Sequence, residues 1–203
     1  MAEEGSWPSI QQYGLLSTSE LLSRYGYSGD AREEIECKWR RKKVIVERPG
    51  LPTVTIRDQI PMCPVSLKGC LEPGITTYAW YRLINGRIFF WPTWKDLTIL
   101  LSANAYRNQP HVVIAIDTRS LLEKHGERVT LSGINSGSTY RPEMRGPGTF
   151  KPISDFDGPW VKEVVVERGI PSLNGLVKSA ETWIARGVEY RSATFEKLGT
   201  LWP

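Results

Sequence analysis

The chain has 203 residues, 40% of them apolar, and carries eight tryptophans. That is enough for one domain with a packed core, and it excludes a disordered chain. The net charge is a mild +4, no run of about 18 apolar residues is long enough to span a membrane, and the N-terminus has neither the basic start nor the apolar run of a signal peptide.

Cys37, Cys63 and Cys70 form no Cys-x-x-Cys pair. They point to free thiols in a reducing cytoplasm rather than to a disulfide frame or a zinc site. A cytoplasmic location and no membrane partner are expected.

Taken in order, Trp7 to Tyr13 reads as a short helix, with Pro8 in its first turn and Gly14 as its stop. A second helix restarts through Glu20-Leu21-Leu22, capped by Ser17 or Ser19 and ended by Gly26 and Gly29. Residues 30–36 are mostly acidic, and Lys38, Arg40, Arg41, Lys42, Lys43 and Arg48 crowd the stretch that follows. Such a block grips phosphates of a nucleic acid or a dinucleotide, or it guards a solvated strand edge. Residues 43–48 and 53–57 alternate around Pro49-Gly50, which predicts a hairpin. Arg57-Asp58-Gln59 comes directly after it and forms either part of a site or a local pair fixing a turn.

Tyr78 to Ile84 reads as a helix stopped by Asn85-Gly86, and Arg87 to Trp91 as a buried strand ended by Pro92. The aromatics Phe89-Phe90-Trp91 either stack on a flat ligand or belong to the core. Thr93 opens a helix to about Asn104. His111 to Asp117 is the strongest strand in the chain. Thr118 to His125 is a helix closed by Gly126, and Arg128 to Leu131 another strand. Residues 140–159 are rich in Pro and Gly and predict a long loop without a clear element, of the kind that is usually functional or disordered. After Pro171 a helix is expected from about Ser172 to Arg186, with Leu173, Leu176, Val177, Ala180, Trp183 and Ile184 on one face. Strands and short helices mix without strict βαβ alternation, so the fold class is α+β, in a single domain over residues 1–203.

Before the last of these segments lies the strand that organises the chain. Val161 to Glu167 is rich in valine, with Gly158-Pro159 before it and Gly169-Ile170-Pro171 after. Val161, Glu163 and Val165 share one face. Glu163 therefore either meets water on a half-exposed sheet or lines a cleft and does chemistry. The sequence has no Gly-x-Ser-x-Gly elbow and no Walker loop. His111 and His125 have no partner at metal-ligand spacing. What remains is carboxylate and arginine chemistry, with no metal.

Four segments together resemble a bacterial family distantly similar to the DarT DNA ADP-ribosyltransferase toxins. They are Trp7-Pro8-Ser9-Ile10 with Gly14-Leu15-Leu16-Ser17, Arg57-Asp58-Gln59-Ile60-Pro61, Val112 to Asp117 followed by Ser132-Gly133-Ile134-Asn135, and Val161 to Val166 followed by Ile170-Pro171. The last two also resemble RNA 2′-phosphotransferases. The resemblance implies an ADP-ribosyltransferase-like split β-sheet core with peripheral helices, and NAD as co-substrate. It implies catalytic roles for Glu163 and Arg41, and cofactor contacts from Gly14, Leu15, Arg57, Gln59, Phe90 and Asn135. The acceptor would be a nucleic acid or a protein, and residues 140–159 would form the target-recognition loop. Chemically, a fixed carboxylate stabilises the oxocarbenium-like state formed as the nicotinamide–ribose bond breaks, and an arginine holds the pyrophosphate.

The chain departs from the family at its start. When Trp7 to Ile10 is aligned with the family's Asn-Leu-Pro-Ser-Ile pattern, the Asn falls on Ser6 and the NAD-gripping His one residue before Met1. The family's first strand is thus expected to be missing, through a start assigned too far downstream rather than through natural loss. The expected result is an uncovered sheet edge and weak NAD binding. Three functions follow as expectations: an NAD-dependent ADP-ribosyltransferase, an RNA 2′-phosphotransferase-like enzyme, or a non-catalytic binding module of the same fold.

Overall fold

The structure is a computed structural model that describes residues 1–189 and 192–203. In chain order its elements are β1 (Ala2–Glu3), α1 (Trp7–Tyr13), α2 (Thr18–Arg24), α3 (Gly29–Glu36), β2 (Val44–Val46), β3 (Val54–Ile56), α4 (Pro64–Lys68), α5 (Thr77–Asn85), β4 (Arg87–Phe90), α6 (Trp94–Leu101), β5 (Pro110–Ile116), α7 (Thr118–His125), β6 (Val129–Ser132), β7 (Lys151–Pro152), β8 (Glu163–Glu167), β9 (Val177–Arg186) and β10 (Thr194–Trp202). Mixed helices and antiparallel sheets bear out the α+β class.

The chain divides into two compact units. One comprises residues 1–14, 91–127 and 171–203, and the other residues 15–90 and 128–170. Each is assembled from segments distant in sequence, and the chain passes between them at four points.

The first unit holds a four-stranded sheet in the order β1-β5-β9-β10. β5 reads as an almost unbroken apolar run because both of its faces are covered. Val112 and Ile114 pack with Trp7 and Ile10 of α1, while Val113 packs with Leu97 and Leu101 of α6. The edge expected to be bare is covered over two residues, where Ala2 pairs with Val112 and Glu3 with His111. The helix expected over Ser172–Arg186 is corrected to strand β9, paired with β5 on one side and β10 on the other. Val177, Thr182, Trp183 and Ile184 are strand formers, and two flanking ladders outweigh a spacing that also fits one helical face.

The second unit holds a four-stranded sheet in the order β4-β8-β6-β7 and the separate hairpin β2-β3. Met62, Leu67, Trp80, Tyr81 and Ile84, from the segment running through α4 and α5, pack with Val165 of β8 and with Phe150. Trp80 and Phe150 stack with centroids 5.9 Å apart. A second cluster joins Leu22, Tyr25 and Ile35 of the α2–α3 region to Val46 and Ile56 of the hairpin. Helix α3 is an addition to the expected elements. Gly29, which reads as a stop, instead opens α3 with φ of 54°. The segment read as one long loop, 140–159, carries β7 and two short 3-10 turns.

Local capping follows the sequence closely. Ser17 accepts a hydrogen bond from the Glu20 backbone, Thr93 from Asp96, and Thr76 from Ala79. Ser17 is buried, at 2% exposure. Replacing it with Ala is therefore expected to lower stability by about 1–2 kcal/mol, from the lost cap and the donor left unpaired. Urea unfolding of the two proteins checks this.

Candidate active site

Glu163 opens β8 and pairs across the sheet with Ser132, the last residue of β6. By strand alternation its side chain shares a face with Val165, which is fully buried in the Trp80–Phe150 core. Glu163 is itself 3% exposed. Its carboxylate thus stands at the end of an apolar layer and not on a half-exposed sheet. Burial is the main influence on it and raises its pKa from the ordinary 4.5 to about 7. Hydrogen bonding from Ser136 and the charges of Lys162 and Arg145 pull in the opposite direction and offset only part of that rise.

The loop after β6 supplies the donor. The Ser132 hydroxyl closes a turn by accepting from the Ile134 N–H, and Asn135 Oδ1 accepts from the Gly137 N–H at 3.2 Å. These two turns bend the backbone so that the Ser136 N–H donates to both oxygens of Glu163, at 3.3 and 3.2 Å. The Ser136 hydroxyl is buried beside the same carboxylate and lowers its pKa, without making a hydrogen bond of good geometry to any described residue. Thr139 then ties the loop to the turn at Ile60–Met62, through its N–H and its hydroxyl to the Pro61 carbonyl at 3.0 and 2.8 Å.

That tie brings in one residue named from the sequence. Gln59 precedes the turn and is buried. Its backbone is fixed to the Arg40 carbonyl and to the Trp39 indole, and its side-chain Oε1 has no partner among the described residues. Asp58 accepts from the Ile60 N–H at 3.3 Å and so closes the turn that follows. Asn135 reaches Glu163 through its neighbour Ser136. Its own side chain is taken up within the loop.

The other named residues have surroundings of their own. Phe90 pairs with Val164, which puts it on the face of the sheet opposite Glu163. The aromatic on the Glu163 face is Phe89, packed on Phe150. Leu15 pairs with Ile170 through two backbone hydrogen bonds of 2.9 and 2.7 Å. Ile170 lies past the far end of β8, and β8 alone puts about 13 Å between Glu163 and Glu167. The structure therefore does not place Leu15 beside the carboxylate. Gly14 belongs to the first unit, as the C-cap of α1 with φ of 80°. Arg57 follows β3 and is half-buried, its carbonyl accepting from Arg40. Arg41 is exposed, with its guanidinium 5.5 Å from the centre of the Trp39 ring. It lines an open depression of about 600 Å³ together with Lys42, Lys43 and Glu34.

The arginine that the structure does place by Glu163 is Arg145, which sequence reasoning passed over. It is the one arginine between Pro142 and Pro152, and its setting in a Pro/Gly-rich loop leading toward the Glu163 strand was the available signal. Among the described residues no group of three His, Cys, Asp or Glu side chains could hold a metal, and no helix is long and apolar enough to cross a membrane.

Comparison with curated proteins and with solved structures finds no match. A family description does match, over residues 1–177, which takes in Gln59, Ser136, Arg145 and Glu163. The chain belongs to the Family of unknown function (DUF7002).

Proposed function

We propose that the protein is an NAD-dependent ADP-ribosyltransferase acting on a nucleic acid or a protein, with Glu163 as its reactive carboxylate. The observation that carries the reading is Glu163 itself: a carboxylate buried at the start of a strand and held by one backbone donor, its pKa raised by burial to about 7. A group poised near neutrality suits proton transfer, and its charged form stabilises a cationic sugar in a dry setting. Two further features support the reading. One is the presence of two separate four-stranded antiparallel sheets, as a split-sheet core requires. The other is two buried polar atoms that make no hydrogen bond of good geometry to the described residues, Ser136 Oγ beside Glu163 and Gln59 Oε1, which are the kind of atoms a polar ligand completes.

NAD would be held by few groups of this chain. Ser136 Oγ and Gln59 Oε1 would meet its hydroxyl or carboxamide groups, and the exposed guanidinium of Arg41 would meet the pyrophosphate. As a carboxylate, Glu163 would hold a ribose hydroxyl, face the developing oxocarbenium charge, and then accept the proton of the attacking acceptor.

The same burial favours a second reading. Protonated Glu163 serves as a structural hydrogen-bonding group, and the fold binds its ligand without reaction. Calorimetric titration with NAD, paired with an assay for released nicotinamide, separates the two. Saturable heat with nicotinamide release is expected. Heat without release supports the binding module, and absence of both overturns the NAD reading.

A further inference from the structure

Arg145 is fully buried, at 0% exposure. Its guanidinium donates to the carbonyls of Glu143, Asn135 and Ser138, the Asn135 contact being 3.2 Å. Among the described residues no carboxylate is a hydrogen-bond partner of this guanidinium, and its Nε has no partner at all. Its own backbone is pinned on both sides, from its N–H to the Cys70 carbonyl at 2.8 Å and from the Glu72 N–H to its carbonyl at 2.9 Å.

A buried cation that bonds only neutral carbonyls is an expensive way to tie a loop. The choice of carbonyls explains its use. Asn135 and Ser138 flank Ser136, whose N–H is the backbone donor the structure gives Glu163. Nη2 donates to both of these carbonyls while Nη1 holds the Glu143 carbonyl, so the planar fork ties the span to the segment that carries Arg145, and a lysine ammonium has no such fork.

We propose that Arg145 is the positioning residue of this site, gripping the Asn135 and Ser138 carbonyls so that the Ser136 N–H stays on the Glu163 carboxylate and the loop keeps water from it. Arg145 acts through the loop and is not itself a reacting group. The importance of this for catalysis rests on the reading of Glu163 proposed above. The physical claim does not, and its measurements need no NAD.

The groups facing Glu163 are the Ser136 N–H and hydroxyl from the loop, Lys162 beside it in the chain and Arg145 from the segment beyond the loop. Burial outweighs the others, so release of the loop admits water and moves the carboxyl toward its ordinary range.

The test is amide hydrogen exchange at Ser136 together with the titration midpoint of the Glu163 carboxyl, both read by NMR in the full chain. In Arg145→Gln, protection at Ser136 is expected to fall at least about tenfold relative to Val165 in β8, and the midpoint to drop by about one pH unit or more. Arg145→Lys is expected to behave like Gln, since it restores charge without the fork. An Arg145→Gln protein that is merely less stable, with Ser136 protection and midpoint as in the native chain, overturns the proposal. So does a Lys variant that behaves as the native chain.

Glu163→Leu, which leaves the Ser136 N–H no side-chain acceptor, gives an independent check should the Arg145 variants not fold. If Arg145 holds the loop, the Gly137 amide, which donates within the loop to Asn135 Oδ1, stays protected when the carboxylate is gone. Loss of that protection shows that Glu163 holds the loop, and the proposal fails. Absence of nicotinamide release by the native chain, with these exchange results intact, would count against the ADP-ribosyltransferase reading alone.

Discussion

If the protein is an ADP-ribosyltransferase, Glu163→Gln is expected to reduce NAD cleavage by about a thousandfold, and in any case to make the protein more stable at alkaline pH. The two effects share one cause. Burial raises the folded-state pKa of Glu163 from 4.5 to about 7. The folded protein therefore holds this proton more tightly than the unfolded chain. The resulting stability is fully present below pH 4.5 and is lost as the pH rises through 7. A shift of this size corresponds to roughly 3 kcal/mol. Gln keeps the shape and can accept from the Ser136 N–H, but it never ionises. The variant should match the native protein at about pH 5 and exceed it by about 3 kcal/mol at about pH 9 in urea unfolding. Cleavage by the native protein should rise through about pH 7 as the carboxylate forms. A truncation without effect on stability would suit a surface glutamate, and 3% exposure rules that setting out. Equal stability of Glu163→Gln and the native chain across this range would falsify the buried carboxylate.

The second large effect separates neighbouring arginines. Arg40→Ala is expected to cost about 4 kcal/mol, whereas Arg41→Ala should change stability by no more than about 0.5 kcal/mol. Arg40 is buried, and its guanidinium donates to the carbonyls of Arg57 and Ile35 and to Asn85 Oδ1. Burial lowers its pKa to about 10, and the charge of Asp58 offsets part of that drop. Removing the side chain leaves three acceptors in the interior without their donor. The Asn85 side chain is engaged as well, because it donates to the Glu36 carbonyl at 2.7 Å. Arg41 lies over the face of Trp39 in an exposed setting. If Arg41 meets pyrophosphate, Arg41→Ala should weaken NAD binding with thermal stability unchanged. Calorimetry and thermal melts of the two variants read these differences directly.

Those arginines show where the sequence was legible. Local chemistry was readable wherever a single residue dictates it: the hydroxyl caps at Ser17 and Thr93, the stop at Gly86, the hairpin around Pro49-Gly50, and the apolar run of β5. Glu163 was readable because a charge set among valines needs a reason. What escaped depends on distant partners. Strand β9 carries Ala180, Glu181 and Ala185, which also suit a helix, and only its pairing with β5 and β10 decides against it. Arg40 and Arg41 look alike in a basic run, yet one faces the interior and the other water. Phe90 and Phe89 differ by one position, and the register with β8 sets which of them joins Glu163. Arg145 gives no local sign that its three acceptors are loop carbonyls.

The segmented make-up of the first unit constrains how the chain folds as it is made. β5 is complete at Ile116, but its long partner β9 starts at Val177, roughly sixty residues later, which at about 5–20 residues per second is a delay of several seconds. Over that interval a strongly apolar strand leaves the ribosome with the two residues of β1 as its ladder partner. Nascent β5 is thus a natural client for holding chaperones, and slow synthesis between residues 117 and 177 would favour aggregation over folding. The family match covers residues 1–177 and stops where β9 begins, so a chain cut there would lose both β9 and β10, two of the four strands of this sheet.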